Sequence, residues 1–159
     1  MLKNPETFLF RSAAAWTAVG LAGGLAYREV TRAADYTGFT QLSLVHTHAL
    51  ALGTLVLLVT LALERLFTLS ADRRLGWFAW AWNSGLALTV GALAVKGSLQ
   101  VAGSASADSP ALAGVAGTGH IVMAVGFVVL FLVLGARIRD TARAAVDAGP
   151  DAYRSFSPR

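Results

Sequence analysis

The chain contains no cysteine. That absence excludes disulfides, iron–sulfur clusters, thiolate metal sites and covalent haem attachment through a C-x-x-C-H sequence. Methionine is scarce, two in 159 residues, which argues against a soft Cu(I) site. Charge is also thin: 14% of residues are Asp, Glu, Lys or Arg, against about 25% in ordinary soluble domains. With 55% apolar residues and a mean hydropathy of +0.59, the composition is that of an integral membrane protein and not of a water-soluble enzyme. At 159 residues there is room for one bundle, so any site is built between helices or between copies of the chain.

What the chain does have is three histidines, and two of them sit together inside an apolar run. The segment Gln41 to Phe67, QLSLVHTHALALGTLVLLVTLALERLF, carries no charge from its polar start until Glu64. About 20 such residues cross a bilayer as one helix. His46-Thr47-His48 lies a turn or two inside it, where a polar side chain is costly without a partner and an ionisable one marks a functional site.

With three further apolar runs the chain has four spans, at about 8–27, 42–64, 75–101 and 118–136, within a single domain 1–140, followed by a polar tail 141–159. In the first, Gly20 and Gly24 form a small-xxx-small pair suited to close helix packing. A cleaved signal peptide is the competing reading, but Glu6 and Arg11 fit a charged leader poorly and no small-x-small site precedes Arg28. Residues 28–40 are polar and read as a loop. The third run opens with Trp77, Phe78, Trp80 and Trp82, the composition of a headgroup interface. Asn83 and Ser84 lie deeper and are expected to hydrogen-bond to the backbone or a neighbouring helix. Lys96 and Gln100 share a face, with Lys96 snorkelling to the interface. Residues 102–117 read as a small, flexible linker without Lys or Arg, and the tail as a short amphipathic helix that frays after Gly149 and Pro150.

Charge sets an orientation. Ten basic residues flank the termini and the second loop, against Arg28 and Arg32 in the first loop and none in the third. The positive-inside rule then puts both termini in the cytoplasm. The net charge of +4 anchors spans and does not form the stripe that nucleic acid requires. In that topology His46, His48 and His120 share one depth near the outer face, as do Lys96 and Gln100. Imidazole is the commonest biological metal ligand, so three at one level point to a metal or haem; hydrogen bonding at the interface is the plainer reading. Residues two apart on a helix differ by about 200°, so His46 and His48 point to opposite sides and serve two sites or two roles. Gly53, on the side of His46, leaves room for something flat or for a close helix. Met123, one turn after His120, is either a thioether ligand or packing.

The segments VHTHALALG and GHIVMAVGF in a four-span chain of this size resemble a small bacterial membrane family of uncharacterised function. The H-x-H also resembles that of the haem–copper oxidase catalytic subunit, where such a motif ligates two haems on opposite faces of one transmembrane helix. Twelve helices there form three arcs of four, so the resemblance implies a homotrimer of this chain. The chain lacks the paired-histidine copper motif, the His-Tyr crosslink sequence and an acidic residue deep in a span, so oxygen-reducing proton pumping is not implied.

The expectation is an all-α, four-span membrane bundle, a homotrimer in the lipid bilayer, that binds haem b through His46, His48 and His120. Arg28 and Arg32 are candidate partners for haem propionates. Electron transfer with a redox partner, diatomic-gas binding and oxidoreductase chemistry are open uses of such a haem. The alternatives are a copper or zinc site on the same three histidines, used for binding or transport, and a structural bundle without cofactor.

Overall fold

The structure, a computed structural model, describes residues 3–147. It is all-α. Four helices run up and down: α1 (Pro5–Ala33), α2 (Ser43–Phe67), α3 (Arg74–Val101) and α4 (Pro110–Asp147), each containing a stretch long and apolar enough to cross a membrane. The chain is built as a multi-pass membrane protein. Short 3₁₀ turns at Leu69–Ala71 and Ala105–Asp108 join α2 to α3 and α3 to α4. We refer to the end where α1 begins and α2 finishes as the termini end, and to the other as the histidine end.

Two helices are longer than the apolar runs suggest. α1 continues through Arg28, Glu29, Val30, Thr31 and Arg32, which therefore form no loop, and stops only where Asp35 takes a left-handed φ of 47°. Residues of this kind are adequate helix formers, and polarity alone does not end a helix. α4 begins at Pro110, inside the segment read as a flexible linker. Ser109 Oγ accepts a hydrogen bond from the Ala111 amide at 3.3 Å, and Pro110 occupies the first turn, where its missing N–H costs nothing. α4 then runs on to Asp147 as a 38-residue helix. At 1.5 Å per residue that is about 57 Å, more than a bilayer core of about 30 Å, so α4 projects beyond the membrane. The fraying expected after Gly149 lies outside the described residues.

α2 is interrupted. From Ala49 to Leu55, directly after His48, its hydrogen bonding widens to a π-helix. A π turn in lipid leaves backbone carbonyls poorly served, and each unsatisfied group there costs several kcal/mol (roughly). One neighbour compensates directly: Trp82 Nε1 donates to the Leu52 carbonyl at 2.9 Å. The Thr17 hydroxyl donates to the Ala13 carbonyl of its own helix and accepts from the Thr54 hydroxyl at 2.9 Å, which ties the turn to α1.

Apolar burial gives helices little reason to associate inside lipid, so close packing and polar contacts hold the bundle. α1 lies along α2, and α3 lies along α4. α3 and α4 cross closely at Gly85 and Gly119, where a Cβ on Gly85 would come within 2.8 Å of the Gly119 carbonyl oxygen. Trp16 from α1 covers Gly53, so the space left by that glycine holds an indole from a close helix. The same indole donates to Asn83 Oδ1 at 2.9 Å, linking α1 to α3, while Asn83 Nδ2 donates to the Ala79 carbonyl. The aromatic cluster of α3 is split: Trp77 and Trp80 are 69% and 67% exposed, whereas Phe78 and Trp82 are fully buried core residues. Assigning all four to the headgroup interface is therefore wrong for Phe78 and Trp82, which fall four residues apart on the inward face.

The termini end is tied with charge. Arg65 on α2 pairs with Glu6 on α1 at 2.7 Å. Arg137 on α4 donates through Nε to the carbonyls of Phe67 and Thr68, both at 3.1 Å, at the close of α2. The buried Glu64 carboxylate accepts from the amide and the hydroxyl of Ser70 and so closes the turn after α2.

Candidate functional site

The motif His46-Thr47-His48 occupies the α-helical start of α2, just ahead of the π turn. Its two imidazoles diverge, as the helical repeat requires. His46 lies against Gly24 of α1, whose missing side chain admits it: a Cβ there would sit 3.6 Å from His46 Cβ. His48 turns the other way and meets His120 of α4, the ring centroids 6.2 Å apart and the planes at 84°. α4 packs against the Val56–Phe67 half of α2 and draws away from the Ser43–Leu55 half. The two imidazoles thus meet where α2 and α4 have separated.

Both rings are held in the same way. His48 Nδ1 is 2.9 Å from the carbonyl of Leu44, and His120 Nδ1 is 2.8 Å from the carbonyl of Ala116, each one turn back on its own helix. A carbonyl accepts only from a protonated nitrogen, so the bond fixes the Nδ1–H tautomer and leaves Nε2 as a bare lone pair. This is how metal-ligating imidazoles are commonly oriented. His48 is half-buried and His120 exposed, so the pair opens outward from the bundle.

His46 differs. Its Nδ1 is buried with no hydrogen-bond partner, and its Nε2 has only Thr47 Oγ1 at 3.4 Å, a weak contact. Arg28 lies one turn beyond Gly24 on α1 and Arg32 one turn further, so both belong to the side of His46 and not to the His48–His120 side. Arg28 is exposed and approaches only its neighbour Glu29, at 3.7 Å.

Other sequence-selected residues fall into packing or capping roles. Met123 is buried, its side chain against Gly85 of α3, while His120 one turn earlier is exposed. Gln100 Oε1 accepts from the Gln41 amide at 2.8 Å, and Thr40 donates to the Gly97 carbonyl at 2.8 Å, which fastens the entry of α2 to the end of α3. Lys96 is half-buried and makes no ion pair among the described residues. Sequence reasoning did not find the π turn, nor Trp82 and Thr17 that serve it; a tryptophan on the inward face of α3 was the available signal.

Among the described residues no group of three or more His, Cys, Asp or Glu is placed to hold a metal ion. The histidine end therefore offers two imidazoles together and a third on the far side of α2. Outside the spans, a hydrogen bond from Arg74 holds the Asp72 carboxyl below its ordinary pKa.

Residues 7–137, from the first turn of α1 to the far end of the membrane-length part of α4, match the family described as "Protein of unknown function (DUF2871)". No curated protein and no solved structure matches the chain.

Proposed function

The chain belongs to the DUF2871 family, whose function is unknown, and from that premise we propose that it is a haem-binding membrane protein using His48 and His120 as an axial pair. One observation carries the reading: two imidazoles from different helices, each pinned at Nδ1 with Nε2 free, whose centroids lie 6.2 Å apart. With each Nδ1 engaged by its own helix, His48 and His120 are the residues that would hold the iron of a haem between α2 and α4. The donor set also discriminates between cofactors. Zinc and copper sites ask for three or four protein ligands, and no such group exists among the described residues. Haem brings four nitrogens of its own and needs only two.

Held by His48 and His120, a haem would supply one-electron exchange at its iron, and the use of two histidines would favour electron transfer over gas binding. The chain's own residues do the rest. The Leu44 and Ala116 carbonyls orient the rings and raise their basicity. The separation of α2 from α4 gives access from the bundle surface. His46, with its unpartnered Nδ1 and with Arg28 and Arg32 on its side of α1, forms a second locus, where the two guanidinium groups suit acidic substituents such as propionates. Because the His48–His120 pair opens outward, further copies of the chain would enclose it, and a homotrimer supplies twelve helices. The proposed orientation keeps both termini cytoplasmic and the histidine end outside, from the basic residues beside the termini end.

The test is composition. Detergent-purified protein from cells supplied with haem precursor, copper and zinc should carry haem in stoichiometric amount and little of either free metal. Bound copper or zinc without haem would replace the reading with a metal site, and neither would leave a structural bundle. Native mass spectrometry of the same sample reads the trimer.

A further inference from the structure

A second surface, at the opposite end from the histidines, carries a ligand signature of its own. Arg73, Gly76, Trp77 and Trp80 line a hollow of about 430 Å³ on the first two turns of α3. Their spacing puts them on one stripe of the helix. Gly76 forms the floor: a Cβ there would meet nothing within 4 Å, so the notch is open and not filled by a neighbouring helix.

The polar groups of this hollow have no protein partners. Of the four tryptophans, Trp16 commits its indole N–H to Asn83 and Trp82 commits its own to Leu52. Trp77 and Trp80 make no hydrogen bond among the described residues and are 69% and 67% exposed. An indole N–H is a donor only, so each awaits an acceptor. The nearby charges are settled in the same way. Asp72 is engaged by Arg74 and Glu64 by Ser70, while Arg73 pairs with no carboxylate among the described residues. The two acids of this connection are thus occupied within the chain, and one exposed guanidinium remains beside two exposed donors. All of it lies at the end of a membrane-length helix, at the depth where lipid headgroups begin.

We propose that Arg73, Gly76, Trp77 and Trp80 form a binding site for the headgroup of an anionic phospholipid. The Arg73 guanidinium takes the phosphate, the two indole N–H groups take phosphate or ester oxygens, and the Gly76 notch admits the glycerol region between the rings. The site is independent of any cofactor at the histidine end.

Quenching of tryptophan fluorescence by brominated phospholipids tests this on the full chain reconstituted into vesicles. Brominated phosphatidylglycerol should quench at a mole fraction about five-fold lower than brominated phosphatidylcholine, the preference expected from one basic residue near a bilayer. R73Q should bring the two lipids to parity, and R73K should keep the preference. The double variant W77F/W80F should lose the lipid-sensitive emission and keep that of Trp16 and Trp82, which also reports that the bundle is folded. Equal quenching of the unaltered protein by the two lipids, a preference that survives in R73Q, or lipid-sensitive emission that survives in W77F/W80F would each overturn the proposal.

Discussion

The two ends of the bundle are fastened by different means. At the termini end the ties are ionic or charge-assisted: Glu6 to Arg65, Glu64 to Ser70, Asp72 to Arg74, and Arg137 to the last carbonyls of α2. At the histidine end α2 is fastened to α3 by Thr40 and Gln100 and α4 packs on α3 through Gly119, but α4 meets α2 there through the edge contact of His48 with His120. One end is closed by its own side chains, and the other leaves nitrogen lone pairs and a buried unpartnered Nδ1. A membrane bundle that needed only stability would pair those groups or replace them with apolar ones. Unspent ligands at one end and spent charges at the other are what a cofactor site on a rigid base requires.

The largest expected effect comes from breaking the open end. His48→Ala and His120→Ala should each abolish the low-spin visible spectrum of the purified protein, a loss of ten-fold or more in bound haem (roughly). His46→Ala should leave that spectrum in place, because His46 faces α1. Equal bleaching by all three substitutions would show that the helical divergence does not separate two roles.

Next comes the element that connects the two regions. Trp82→Phe removes the donor to the Leu52 carbonyl and should cost about 1–3 kcal/mol, read by unfolding in mixed detergent micelles. The same variant should disturb the His48 ring, since the π turn begins at Ala49. Stability lost with the haem spectrum unshifted would uncouple the turn from the site.

Breaking the closed end should change stability and nothing else. Arg137→Gln loses two bonds to backbone carbonyls and a contact with Asp140, about 1–3 kcal/mol in the same assay, with the haem spectrum unaltered. Glu6→Gln removes an exposed ion pair and should cost less than about 1 kcal/mol.

The smallest effect is a pH dependence. The folded pKa of Asp72 is depressed by the Arg74 hydrogen bond, so its contribution is present above the ordinary aspartate value of about 3.9 and is lost as pH falls through the lower folded value. Stability should therefore fall more steeply below that value in the unaltered protein than in Asp72→Asn, as followed by unfolding midpoints at graded pH.

How much of this was legible in the residues differs between the two regions. The divergence of His46 and His48 follows from the 200° step (about) between alternate helical positions, and it is what the structure shows. The shared depth of the three histidines follows from counting spans, since α2 and α4 enter from the same side, each with a histidine near its start; that His48 and not His46 faces His120 comes from the packing. Four membrane-length helices were readable from apolar runs alone, because lipid demands them. The helix ends were not. Polar content at Arg28–Arg32 suggests a loop, but propensity allows the helix to continue, and the Ser109-Pro110 start signal of α4 is masked by the small residues around it. The π turn was hidden for a different reason. The donor to its Leu52 carbonyl, Trp82, arrives from another helix, and no local pattern in Ala49–Leu55 encodes that. The tryptophans were grouped by residue type, whereas the helical repeat already separates Trp82 and Phe78 from Trp77 and Trp80.

The most direct measurement is the visible absorption spectrum of the detergent-purified protein, first oxidised and then reduced with dithionite. A pair of imidazoles pinned at Nδ1 predicts a sharp Soret band with resolved α and β bands on reduction, the signature of six-coordinate haem. A colourless protein that also fails to take up added haem would contradict the account at its centre.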